Sequence, residues 1–140
     1  MASAYYDINA QQHSTFNFHV EYYDNNGNPI DLVGYTARLH VRPNYDSSKL
    51  YLAITTSGVT TGGSTGEFTG SGGVSGSGGI SVNKGETGAV FTGGILITAD
   101  ATSMGYVRAG SWKYSIDITK GVTTEELMAG QFVVAPKTTR

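Results

Sequence analysis

Four stretches of this chain alternate apolar and polar residues with a period of two, and that limits the fold more than any other feature. In residues 14–23, Phe16, Phe18, Val20 and Tyr22 fall on one face, and Asn17, His19 and Glu21 on the other. In residues 35–42, Tyr35, Ala37, Leu39 and Val41 oppose Arg38, His40 and Arg42. Residues 50–55 turn Leu50, Leu52 and Ile54 inward. Residues 111–118 set Trp112, Tyr114, Ile116 and Ile118 against Lys113, Ser115 and Asp117. Side chains change sides at every strand residue, so each stretch is a strand with one buried face.

The connections carry turn chemistry. Asp24-Asn25-Asn26-Gly27-Asn28-Pro29 combines residues that tolerate positive φ with one that has no N–H to donate. Residues 43–46 end the second strand, and residues 120–123 form a tight turn. Asp100 is an N-cap for one helical turn over residues 101–104. A last strand is expected over residues 125–135, with a bulge at Ala129-Gly130. Short alternating strands without an amphipathic helix predict an all-β fold, an antiparallel immunoglobulin-like β-sandwich of about seven strands.

Residues 58–94 hold 14 of the 20 glycines, and the alternation stops there. Glycine loses the most backbone freedom on folding. The sequence therefore predicts one sandwich domain over residues 1–140, with 57–94 a Gly/Ser/Thr-rich insertion loop. Phe68, Ile80 and Phe91 are its expected anchors. Residues 80–82 and 89–91 form a candidate edge hairpin around Asn83-Lys84-Gly85. Without the insertion, about 100 residues remain, the size of one immunoglobulin-like sandwich.

Composition argues against several functions. The formal net charge is −2 and Lys and Arg are scattered, without the basic stripe that nucleic acid demands. No apolar run approaches the ~20 residues of a membrane-spanning helix. Residues 1–13 lack the basic and apolar regions of a secretory signal. The chain has no cysteine, which removes disulfides, a thiol nucleophile and zinc-thiolate chemistry, and fits synthesis in a reducing cytoplasm.

The candidate chemical sites dissolve on inspection. His13, His19 and His40 have no third ligand at a matching spacing; His19 and His40 would form a pair only on neighbouring strands. Asp24, Asn26, Asn28 and Asp31 suggest a calcium loop, but Gly27 and Pro29 are misplaced and the twelfth residue is Tyr35. The glycine-rich segment lacks both the phosphate-loop motif, with Lys84 standing alone, and a Gly-x-Ser-x-Gly elbow leading into a helix. The expectation is a non-enzyme with no catalytic, cofactor-binding or metal-ligating residues. Six tyrosines, Tyr5, Tyr6, Tyr22, Tyr23, Tyr45 and Tyr51, are too many to bury together, and one of each adjacent pair is expected outside.

Several runs carry a family pattern: Tyr6-Asp7-Ile8, Ser14-Thr15-Phe16, residues 24–27, Pro29-Ile30-Asp31-Leu32, Gly34-Tyr35-Thr36-Ala37-Arg38 and Val41-Arg42. In the second half they continue as Gly94-Ile95-Leu96-Ile97, residues 109–119, residues 127–130 and Thr138-Thr139-Arg140. This pattern resembles small virion structural proteins of tailed bacteriophages, namely the N-terminal modules of baseplate upper proteins and related tail and capsid accessory proteins. Where the pattern commonly has glycine before Ser-Thr-Phe, this chain has His13. The resemblance implies a β-sandwich and an assembly role in the virion, as a tail or baseplate subunit contacting other virion proteins in repeated copies. It implies no catalytic residues; the expectation of no nucleic acid, no membrane and no cofactor rests on the composition and motifs above. A capsid decoration protein has the same pattern, and outward tyrosines also suit a module binding host-surface glycans.

Overall fold

The computed structural model describes residues 4–69, 73–85 and 87–136. In chain order the strands are β1 (Ala4–Tyr5), β2 (Ile8–Gln11), β3 (Phe16–Glu21), β4 (Thr36–Arg42), β5 (Lys49–Leu50), β6 (Leu52–Thr55), β7 (Gly58–Thr61), β8 (Phe68–Thr69), β9 (Val74–Gly76), β10 (Gly78–Lys84), β11 (Val90–Ala99), β12 (Gly110–Lys120) and β13 (Thr123–Ala135). A short helix α1 (Ala101–Tyr106) joins β11 to β12, with Asp100 at its N-cap position. The closing Thr138-Thr139-Arg140 lies outside the described residues.

The larger sheet runs β1-β13-β12-β4-β6-β7-β9, with β2 also paired to β13. The smaller runs β10-β11-β3, and β5 pairs with β8 alone. This order is that of a variable-type immunoglobulin sandwich: β13, β12, β4 and β6 take the places of strands G, F, C and C′, and β3, β11 and β10 those of B, E and D. The described residues form thirteen strands, not the expected seven: residues 4–11 add β1 and β2, residues 49–55 divide into β5 and β6, and the glycine-rich segment supplies β7, β8, β9 and β10.

The alternation read for β4 and β12 is the alternation buried, whereas residues 50–54 are buried on both faces, Leu50 packing with Ala53 and Phe68 in a separate cluster. Leu39 and Val41 from β4, Ile54 from β6, Ile116 and Ile118 from β12 and Phe132 from β13 are sealed from solvent. Against them lie Ile80, Ile95, Ile97 and Phe16 of the smaller sheet. Phe16 meets Phe132 edge-on at 5.5 Å, joining the two sheets. Each fully buried aliphatic side chain contributes about 1.5–3 kcal/mol. Leu32, from the β3–β4 loop, and Met104 and Val107, from α1 and the residues after it, plug opposite ends. The β12–β13 turn has Gly121 at φ +63 followed by Val122, the Gly-X chemistry of a tight hairpin.

The glycine-rich segment is not an insertion loop. Residues 57–94 form β7, β9, β10, the first half of β11 and the small β8. The glycines allow backbone to pack on backbone. A Cβ on Gly78 would lie 2.4 Å from the Thr98 carbonyl oxygen, and one on Gly94 would lie 2.2 Å from that of Lys84. The expected pairing of residues 80–82 with 89–91 does not form: Ile80, Ser81 and Val82 pair with Ile97, Leu96 and Ile95, and the ladder closes where Lys84 meets Val90 and the Gly85 N–H donates to the Ala89 carbonyl. Asn83 sits opposite a bulge in β11, where residues 91–94 stand between Val90, paired with Lys84, and Ile95, paired with Val82. Phe68 and Ile80 are buried, as expected of anchors, whereas Phe91 is exposed and sits edge-on to His19. The expected bulge at Ala129-Gly130 falls instead at Leu127, where Ile116 and Asp117 pair with Met128 and Glu126. His13, in the position the family pattern gives to glycine, has φ +59, a left-handed conformation that costs a side-chain-bearing residue about 1 kcal/mol.

The larger sheet curls. Gly79 of β10 lies against Gly58 and the Thr55 carbonyl at the β6–β7 turn, and Gly76 of β9 lies against Ser103 of α1. The β10 side of the sandwich is thereby covered. The β3 side is not: both N-terminal strands have joined β13, and no described strand occupies the place of strand A beside β3.

Candidate functional site

Two surfaces stand out. The first is the outer face of the larger sheet. Successive Cα partners put Tyr5, Ala129, Ser115, His40 and Ala53 in one row across five strands. Small Ala129 and Ser115 leave a shallow band flanked by Tyr5 and Tyr45, which are 68 % and 55 % exposed. Tyr45 donates to the Gly130 carbonyl at 3.3 Å, and the Lys113 ammonium lies 5.8 Å from the centre of its ring. Arg38 pairs with Asp117 at 3.3 Å on the same face. Burial first, then the Arg42 and Arg38 guanidiniums, hold the His40 imidazole below its ordinary pKa. The face is aromatic and polar, able to stack and to donate hydrogen bonds.

The second surface is the seam between β2 and β3. A groove of about 390 Å³ lined by residues 9–11 and 14–17 opens along it, and another of about 370 Å³, lined by Asn17, Phe18, His19 and Leu96, lies beside it over β3 and β11. Tyr6 stacks on Phe18 across the seam at 5.8 Å and remains 52 % exposed. Tyr22 N–H donates to Gly93 at 2.8 Å, so the antiparallel ladder turns the backbone groups of Phe16, Phe18 and Val20 toward β11. Those of Asn17, His19 and Glu21 point away from it.

The residues weighed from sequence fall apart spatially. His19 is on β3 and His40 on β4, in different sheets. Among the described residues no group of three or more His, Cys, Asp or Glu could hold a metal ion. Asp24 Oδ1 accepts the Asn26 and Asn28 N–H groups at 2.9 and 3.0 Å, which makes this segment a hairpin turn. Tyr22 is buried and Tyr23 exposed, as expected of such a pair, but Tyr5 and Tyr6 are both exposed because β1 ends between them. Tyr51 is buried under Trp112. Sequence reasoning missed the open β3 edge: nothing in residues 4–11 reveals that they leave β3 for β13.

The fold and its surfaces define an immunoglobulin-like sandwich with one open side. No family model and no curated protein matches the chain. One solved structure that does match comes from photo-crosslinking analyses of multimeric cell-adhesive interactions of VGSC beta subunits. It is 11 % identical, with 95 % of this chain and 93 % of that chain covered and a TM-score of 0.40. A likeness of that size carries no argument about function, and the fold assignment rests on the strand pairings.

Proposed function

We propose that this chain is a non-enzymatic structural subunit of a tailed-phage virion, placed in the tail or baseplate and acting through contacts with other virion proteins. The observation that carries the reading is the β3 edge. Three alternate residues, Asn17, His19 and Glu21, offer backbone donors and acceptors there, beside an exposed aromatic seam. Solitary proteins usually cover or charge such an edge, and assembly subunits use it. The sequence pattern shared with baseplate and tail accessory proteins supports the same reading, as does the tyrosine-flanked face around Ala129 and Ser115, with the composition of a protein interface.

The test is localisation in intact particles. Cryo-microscopy of virions carrying the tagged chain, with copy number from quantitative mass spectrometry, should place it in the tail at a copy number that follows tail symmetry. A lattice of copies on the head would replace this reading with capsid decoration. Absence from purified particles would end both.

A further inference from the structure

The β3 edge is complementary to itself. We propose that it pairs with β3 of a second copy, antiparallel about a two-fold axis through His19, joining two smaller sheets into one of six strands. This names one contact of the assembly role proposed above and rests on that reading only for its biological setting.

The register follows from the backbone. Only Asn17, His19 and Glu21 turn their N–H and C=O groups outward, so these must be the hydrogen-bonded residues of the new ladder. A two-fold at His19 satisfies all three: His19 meets its own mate, and Asn17 meets the mate's Glu21. Phe18 then lies opposite the mate's Val20, an aromatic–β-branched pair of the kind that stabilises sheets. Charge agrees. Glu21 is the only charged residue of β3 and meets a neutral amide, not another carboxylate. The seam supplies the apolar area. Tyr6 and the half-buried Phe18, stacked at 5.8 Å, would be covered in both copies. A strand pair with four aromatic rings sits at the small end of stable interfaces, so a dissociation constant on the order of micromolar is expected.

Sedimentation equilibrium of the purified full chain tests this, because Asn17 is exposed and its substitutions leave the fold alone. Asn17→Lys places an ammonium opposite the mate's Glu21 and should tighten the dimer about tenfold; Asn17→Asp places like charges together and should weaken it by a similar factor. His19→Pro removes an N–H that the monomer's own ladder does not use and should give monomers with an unchanged far-ultraviolet spectrum. A wild-type chain monomeric up to millimolar concentration overturns the proposal and leaves the edge to an extended segment of another protein. A dimer on which Asn17→Lys and Asn17→Asp act alike overturns it too. Neither outcome touches the localisation experiment, so the two readings fail separately.

Discussion

The Tyr114 hydroxyl donates to the Tyr6 carbonyl at 2.5 Å, directly over the backbone of Gly130. That contact holds the N-terminal segment on β13. A Cβ on Gly130 would lie 2.2 Å from the same carbonyl oxygen, so only glycine admits the crossing. Gly130→Ala should cost about 2 kcal/mol through displaced backbone. Tyr114→Phe should cost about 1 kcal/mol through one lost hydrogen bond. Urea unfolding measures both, and Gly130→Ala should also speed proteolysis of residues 4–11.

Asn83 ties the β3–β4 loop to the smaller sheet. Its Oδ1 accepts from Leu32 N at 3.0 Å and Gly93 N at 3.1 Å, and its Nδ2 donates to Asp31 at 2.9 Å. Its φ is +57, which Asn tolerates better than most residues. Asn83→Ala loses the bonds and keeps the strain, for about 3 kcal/mol in total. Asn83→Gly loses the bonds but relieves the strain, so it should be milder by about 1 kcal/mol. Equal losses in thermal or urea unfolding would show that the left-handed backbone is not strained.

Stability should fall on the acid side through His40. Burial and the two flanking arginines depress its pKa in the folded state, so the unfolded chain binds the proton first. Its contribution is complete above the ordinary value of 6.5 and is lost as pH falls through that value toward the folded one. His40→Gln should flatten urea midpoints between pH 7.5 and 5.

On the alkaline side the sign reverses in pH. Burial and the hydrogen bond to Glu125 push Tyr22 up to about 12, and burial raises Tyr114 as well. Their contributions are complete below pH 10.0 and are lost as pH rises through the folded values. Tyr22→Phe should reduce the decline in stability between pH 10 and 12.

Excising residues 60–90 should abolish folding. A loop would be dispensable there, but this stretch contains β9 and β10 and buries Thr61, Phe68 and Ile80. Without β10, β11 loses one of its two neighbours and the core faces water. A soluble, cooperatively unfolding deletion variant would contradict this.

The sequence by itself determined which residues of β3, β4 and β12 face inward, because alternation is local: it needs only residues two apart, and each strand carries its own record. It also marked the turns at Asp24 and Gly121, whose chemistry is equally local. It could not mark β7, β9 or β10. Glycine has no side chain with which to write a two-residue period, and those strands are held by backbone approaching backbone, as at Gly78 over Thr98. Nor could it place the tyrosine-flanked face or the open edge. The first needs five strands in register, from Tyr5 to Ala53. The second depends on residues 4–11 pairing with β13, more than a hundred positions away, and so leaving β3 uncovered. Those are choices among partners distant in the chain, and only tertiary packing makes them.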